Sequence, residues 1–203
     1  MRQGSPEWAA ARAGRATASR FSDVMAKIKS GEAAVRRNYR AELVVERMTG
    51  IPVEGFMSKE MMWGIDQEPE ARARLEEETG VLVEEIGFVA HPEVAAGASP
   101  DGLIGDDGGL EIKCPNTSTH IGYLLGGMTP DHVPQVQGNM WMTGRAWWLF
   151  VSFDPRMPEK LQLYKQMIPR DDAYIRLLEA EVRKFLREVD ETVAKLTKIA
   201  EER

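Results

Sequence analysis

One stretch limits this chain more than any other. Ser99-Pro100-Asp101-Gly102 is followed closely by Gly109-Leu110-Glu111-Ile112-Lys113-Cys114-Pro115. Between them Gly105-Asp106-Asp107-Gly108-Gly109 has the composition of a β-hairpin loop. A hairpin returns the chain on itself, so Asp101 and Glu111 approach from adjacent strands. The two-residue period of a strand then puts Glu111 and Lys113 on one face and Ile112 on the other. Two carboxylates and an ammonium on a shared face are costly unless something lies between them. A magnesium ion with a phosphate answers that need, because Mg²⁺ takes a few carboxylate oxygens, waters and substrate phosphates.

The chain has 203 residues, a length that suits one domain with a sizeable core. No apolar run reaches the roughly 20 residues that span a bilayer, and the polar N-terminus is not that of a signal peptide. Its single cysteine, Cys114, excludes an internal disulfide and any four-cysteine metal site within one chain. These features give a cytoplasmic expectation. The net charge of −6 is unevenly spread. Residues 1–50 hold 10 Lys/Arg against 5 Asp/Glu, residues 51–112 hold 3 against 15, and residues 113–203 hold 13 against 12. Two readings of this pattern stand side by side. The acidic block is a solvated face, or part of it holds metal ions while the basic N-terminal segment meets phosphate.

Taken in order, Ser5 as N-cap and Pro6 at the first helical position start a short helix over residues 4–12, ended by Gly14. Thr17 or Ser19 caps a second helix running to about Lys27, with Phe21, Val24, Met25 and Ile28 as its stripe. Arg12, Arg15, Arg20, Lys27 and Lys29 surround that start. This is either a phosphate-binding arrangement or ordinary caps and surface basics. Residues 33–49 and 58–79 read as helices, the second running from Ser58 to Gly80 and carrying Glu68. From Val81 the period turns to that of a strand, over 81–83 and 86–90 with a kink at Gly87, and residues 94–98 lead into the hairpin. Residues 116–120 read as a polar loop and 131–143 as a helix. Residues 146–153 read as a buried strand containing Trp147 and Trp148, 161–168 as an edge strand, and 171–202 as a long amphipathic helix. The expected fold is α/β, with helices flanking a mixed central sheet.

The chemistry open to the hairpin is metal-assisted phosphodiester hydrolysis. Asp101 and Glu111 would chelate magnesium, and Lys113 would hold the attacking water or a phosphate oxygen. His91, His120 and His132 lack zinc-site spacing, and no phosphate-cradling GxxxxGK[ST] is present. A charged edge strand would spell the same Gly-Leu-Glu-Ile-Lys, but an Asp one hairpin upstream, after a Pro, favours a site.

Asp101…Glu111-x-Lys113 matches the PD-(D/E)xK nuclease signature. The surrounding sequence resembles the λ-exonuclease/YqaJ-type viral recombinases in Ser-Pro-Asp-Gly-Leu, Leu-Glu-Ile-Lys-Cys-Pro, Leu-Gly-Gly, Gln-Val-Gln and Asp-Pro-Arg-Met. The likeness runs from Trp8 to the last helix, in order and at nearly the same spacing. It implies a restriction-endonuclease-like core in a single nuclease domain over residues 1–203. Asp101, Glu111 and the Ile112 carbonyl would be magnesium ligands, with manganese as a substitute, and Lys113 the catalytic lysine. Glu68 would be an additional acidic catalytic residue and Gln135 the motif glutamine. Arg12, Ser19 and Ser99 would form a pocket for the 5′-phosphate of a DNA end. Met61 takes the place of an apolar wedge at the duplex end, and Lys29 that of a basic residue on DNA. Both differ in identity from the family pattern. His132 also differs and carries no assigned role.

The activity implied is a Mg²⁺-dependent 5′→3′ double-strand DNA exonuclease. It would release mononucleotides and leave a 3′ single strand for a phage single-strand annealing protein. The family also implies a homotrimeric ring on double-stranded DNA ends, phage or prophage origin, and the bacterial cytoplasm without a membrane role. The alternatives are another PD-(D/E)xK endonuclease or repair nuclease, and a non-catalytic DNA-end-binding module.

Overall fold

The computed structural model describes residues 2–53, 55 and 57–203. Helix α1 (Pro6–Arg12) starts on Ser5, whose hydroxyl accepts from the Trp8 amide, and leads to strand β1 (Ala16–Thr17). A 3-10 turn at Ala18–Arg20 runs into α2 (Phe21–Met25), followed by α3 (Ala34–Thr49) and α4 (Lys59–Thr79). Short strands β2 (Val83–Glu84), β3 (Val89–Ala90) and β4 (Ala96–Ala98) precede the hairpin of β5 (Gly102–Ile104) and β6 (Gly108–Lys113). Then come α5 (Thr117–Gly126), α6 (Val133–Thr143), β7 (Trp147–Phe153), β8 (Leu163–Pro169) and α7 (Asp172–Glu201).

The architecture is α/β, but the strands form two sheets where one was expected. A five-stranded mixed sheet has the order β2-β5-β6-β7-β8, with only β6 and β7 parallel, and a three-stranded sheet has the order β1-β4-β3. Period two divides β6 and β7 between two cores. Leu110, Ile112, Val151 and Phe153 face Ala71 and Leu75 of α4. On the opposite face Trp148 packs with Val136 and Met140 of α6. A third core joins α2, α3 and α7 through Phe21, Val24, Tyr39, Leu43, Leu178, Val182, Phe185 and Val189. Each such side chain, fully buried, stabilises the fold by roughly 1.5–3 kcal/mol before ordering costs. Gly109 is required where it stands: a Cβ there would sit 2.1 Å from the Trp148 ring laid across β6.

Several sequence expectations need correction. The polar stretch 116–120 is not a loop. Asn116 caps α5 by accepting from the Thr119 amide, and the Thr and Ser residues form its first turn. Cap and loop draw on the same residues, which is why composition misled. The second helix stops at Met25, short of Lys27, and Ile28 is exposed. Val35 and Met48 of α3 and Leu177 and Leu196 of α7, which fall at helical spacing with buried apolar residues, are exposed too. The strand expected at 86–90 is reduced to Val89–Ala90. Among the described residues no helix is long and apolar enough to cross a membrane.

Candidate active site

The antiparallel register that pairs Gly102 with Leu110 brings Asp101, one residue earlier, opposite Glu111. The Asp101 Oδ2 accepts the Ile112 amide at 2.7 Å, which closes the mouth of the hairpin. Glu111 is 2% exposed. Its Oε1 accepts from Lys113 Nζ at 2.6 Å and from Gln135 Nε2 at 2.6 Å, and Lys113 also donates to Gln135 Oε1 at 3.1 Å. Asn139, one helical turn after Gln135 on α6, donates to Glu111 Oε2 at 3.0 Å. Helix α6 therefore covers the carboxylate face of β6 with amide donors, and α4 brings Glu68 to the other side. Arg72, four residues on, donates to Glu68 Oε1 at 2.8 Å and holds its carboxylate.

The electrostatics are those of acids crowded in a poorly solvated space. Burial, then the charges of Glu111 and Glu68, push the Asp101 carboxyl well above its usual range. Burial also raises Glu68; Arg72 opposes this and Glu111 adds to it. Burial alone would lower Lys113, but Glu111 and Asp101 outweigh it and hold the ammonium above its ordinary value. Adjacent Cys114 is pushed up to about 12, mainly by burial, and is inert as a nucleophile at neutral pH. Among the described residues no group of three or more His, Cys, Asp or Glu is arranged as a ready metal cluster. The donor set at the hairpin is smaller: two carboxylates and a backbone carbonyl. It fits a hard cation, whose charge would relieve the crowding of acids that raises Asp101.

These groups open into a cavity of about 520 Å³. Arg12, Ser19, Met61, Glu68, Ser99, Asp101, Glu111, Ile112, Lys113 and Gln135 all line it, although they come from segments scattered along the chain. Lys29 does not; it lies exposed between α2 and α3, away from this wall. At the N-terminal end, Ser99 Oγ accepts from Trp8 Nε1 at 2.9 Å and from Arg12 NH1 at 3.2 Å, and the Arg12 guanidinium stacks 4.0 Å from the Trp8 ring centroid. Burial lowers the Arg12 pKa, with Tyr39 and Glu46 acting against it. Arg12 makes no ion pair among the described residues. The neighbouring basics are already paired: Arg20 with Asp23 and Glu42, Arg36 and Arg40 with Glu32 and Glu188, and Arg47 with Asp190. Four of the ten basic residues in 1–50 are thus held in ion pairs, while Arg12 faces the cavity.

Trp8, Tyr123, His132 and Asn139 are among the cavity residues that the sequence reading did not assign to the site. Asn139 had a visible signal in its four-residue spacing from Gln135. The Tyr123 hydroxyl and His132 Nε2, 2.6 Å apart, had none, since they come from different helical segments. Trp148 is core, as expected of a buried strand, and His120 is held in the interior by Ser152 and the Leu161 carbonyl.

Comparison with known proteins places this geometry. The family profile of the YqaJ-like viral recombinase domain matches residues 7–146. The alkaline exonuclease LHK-Exo from Laribacter hongkongensis is 46% identical, with a TM-score of 0.91 over 98% of this chain and 99% of its own. LHK-Exo in complex with dAMP superposes equally well. A phage-related exonuclease from Haemophilus somnus 129PT, 14% identical, shares the fold at a TM-score of 0.71, covering 90% of this chain and 96% of its own. The uncharacterized protein ExoD of Escherichia coli K12 is 32% identical over 77 residues, 36% of this chain and 87% of ExoD. The chain belongs to the YqaJ-like viral recombinase family.

Proposed function

We propose that this protein is a magnesium-dependent 5′→3′ exonuclease on double-stranded DNA ends. A nuclease acting on DNA follows from the family and from the 46% identity with an alkaline exonuclease over the full chain. Direction, metal and end preference are the further steps. The observation that carries them is the single cavity in which the Asp101, Glu111 and Lys113 cluster shares a wall with Arg12, a desolvated cation without a carboxylate partner among the described residues.

The division of labour follows from position. Lys113 Nζ places positive charge where the non-bridging oxygens of a phosphodiester would gain negative charge. Gln135 bridges Lys113 and Glu111, fixing the distance between them. Glu68, kept near by Arg72, adds an acid on the opposite wall for orienting or deprotonating water. Asp101, Glu111 and the Ile112 carbonyl would hold a divalent cation, magnesium or manganese, which lowers the pKa of a water and offsets phosphate charge. Arg12, Ser99 and Ser19 would receive the terminal 5′-phosphate, and Met61, exposed at the cavity rim, would press against the terminal base pair. A deoxynucleoside monophosphate is the expected product; dAMP is the molecule bound by LHK-Exo.

The reading extends, on family likeness, to a homotrimeric ring, a phage single-strand annealing protein as recipient of the 3′ strand, and action in the bacterial cytoplasm. Light scattering tests the trimer. The central test is digestion of linear duplex bearing 5′-phosphoryl or 5′-hydroxyl ends, with Mg²⁺ and with chelator. Mg²⁺-dependent mononucleotide release, faster from 5′-phosphoryl ends and absent from closed circular plasmid, supports it. Cutting of the circle shows an endonuclease instead, and Mg²⁺-independent end binding without release shows a non-catalytic module.

A further inference from the structure

The turn after α1, which carries Arg12 into the cavity, is gripped from outside by two residues of α3. The Gly14 amide donates to Glu46 Oε2 at 2.7 Å, and Arg47 Nε donates to the Gly14 carbonyl at 2.9 Å. Both polar groups of one peptide position are therefore satisfied by adjacent side chains. Gly14 is buried with φ +70, a conformation that L side chains rarely adopt, and a Cβ there would meet Arg47 Cγ at 2.8 Å. Arg47 is fixed in turn by Asp190 of α7. The other oxygen of Glu46, Oε1, accepts the Val53 amide at 3.0 Å, four residues before Met57 on the cavity wall. One carboxylate thus holds both the turn behind Arg12 and the chain at Val53. It also acts on Arg12 through space, as a charge that favours the guanidinium.

We propose that Glu46 and Arg47 are positioning residues for the DNA-end pocket. They touch neither phosphate nor metal. They fix the turn that carries Arg12, and with it the place of the guanidinium beside Ser99. Discrimination between phosphorylated and unphosphorylated ends therefore depends on α3. This inference rests on the proposed 5′-phosphate pocket.

The test is the ratio of kcat/KM on 5′-phosphoryl over 5′-hydroxyl duplex, measured for wild type, Arg12→Ala, Glu46→Ala, Glu46→Gln, Arg47→Lys and Arg40→Gln, with a melting curve for each. A wild-type ratio near one overturns the pocket itself. Where wild type discriminates and Arg12→Ala does not, the pocket stands and the clamp is judged separately. Glu46→Ala and Arg47→Lys are then expected to lower the ratio by about tenfold through KM for the phosphoryl end. Glu46→Gln, which keeps a single acceptor oxygen, should fall between Glu46→Ala and wild type. Arg40→Gln breaks an ion-pair network on the same helix away from Gly14 and should lower the melting temperature without moving the ratio. If Glu46→Ala does not fold, Glu46→Gln and Arg47→Lys decide. A wild-type ratio in both, beside a lost ratio in Arg12→Ala, overturns the clamp.

Discussion

Asn139 Nδ2 lies 3.0 Å from Oε2 of Glu111 and supplies that oxygen with a donor, while Lys113 and Gln135 supply Oε1. A carboxylate 2% exposed thus has three hydrogen-bond donors from two elements, β6 and α6. Its geometry is set before any substrate arrives, because α6 is anchored by Val136 and Met140 in the core.

Asn139→Ala leaves one oxygen of Glu111 without its donor in a buried place. Stability should fall by roughly 1–3 kcal/mol, read from denaturant melts. Nuclease rate should fall by about 10–100-fold, as expected when a supporting partner of a site residue is lost. An unchanged rate would show that Glu111 needs no fixed orientation.

Lys113→Met removes the only ammonium on this face of β6 and keeps the apolar stem. Release of nucleotides should drop by about 10³-fold or more, the scale on which a single charge-stabilising donor acts. Its melting curve should show a folded, less stable protein, since Glu111 loses its charged partner but keeps two amide donors.

Asp101→Asn separates stability from activity through pH. The folded-state pKa of Asp101 lies above its unfolded value, so stability linked to this group is complete below the unfolded pKa and is lost as pH rises through the folded one. In metal-free protein at neutral pH, Asn should therefore raise stability, an advantage that disappears under acid conditions. The Asn carbonyl oxygen can still accept the Ile112 amide. Nuclease activity should be lost. A variant less stable than wild type at neutral pH contradicts the crowding of acids described above.

The two glutamines of Gln135-Val136-Gln137 have separate duties. Gln137 donates to the Pro169 carbonyl at 2.9 Å and accepts the Asp171 amide at 2.9 Å, fixing the start of α7. Gln137→Ala should cost roughly 1–3 kcal/mol of stability. Gln135→Ala should instead lower kcat with a smaller change in melting temperature. A kinetic assay beside a thermal melt distinguishes them, and the reverse pattern would count against the assignment.

Gly109→Ala tests the tertiary reason for a glycine pair that reads as hairpin loop. The added Cβ would meet Trp148 at 2.1 Å, and a core ring cannot yield as a flexible side chain does. The expected loss is roughly 1–3 kcal/mol, with activity reduced because Glu111 is two residues away on the same strand face.

What the sequence alone settled is local. Pro100 and the glycine-rich turn set the hairpin, and period two put Glu111 beside Lys113, because both depend only on near neighbours along the chain. Ser5, Ser58 and the glycine at 80 marked helix ends for the same reason. Glu68, Gln135 and Ser99 were given roles by family resemblance and not by their own surroundings in sequence, and the resemblance singled out Arg12 from a cluster of basics. Arg12 and Ser99 stand 87 residues apart, and only the parallel pairing of β1 with β4 brings their segments together. Asn139, the Tyr123–His132 contact and the grip of Glu46 and Arg47 on Gly14 had no counterpart in the sequence reading. Each joins elements whose meeting is decided by which apolar faces pack, and periodicity shows that a face is apolar without showing what covers it. Helices α4 and α6 take opposite sides of β6 because Ile112 and Glu111 point opposite ways, and the candidate active site lies between them.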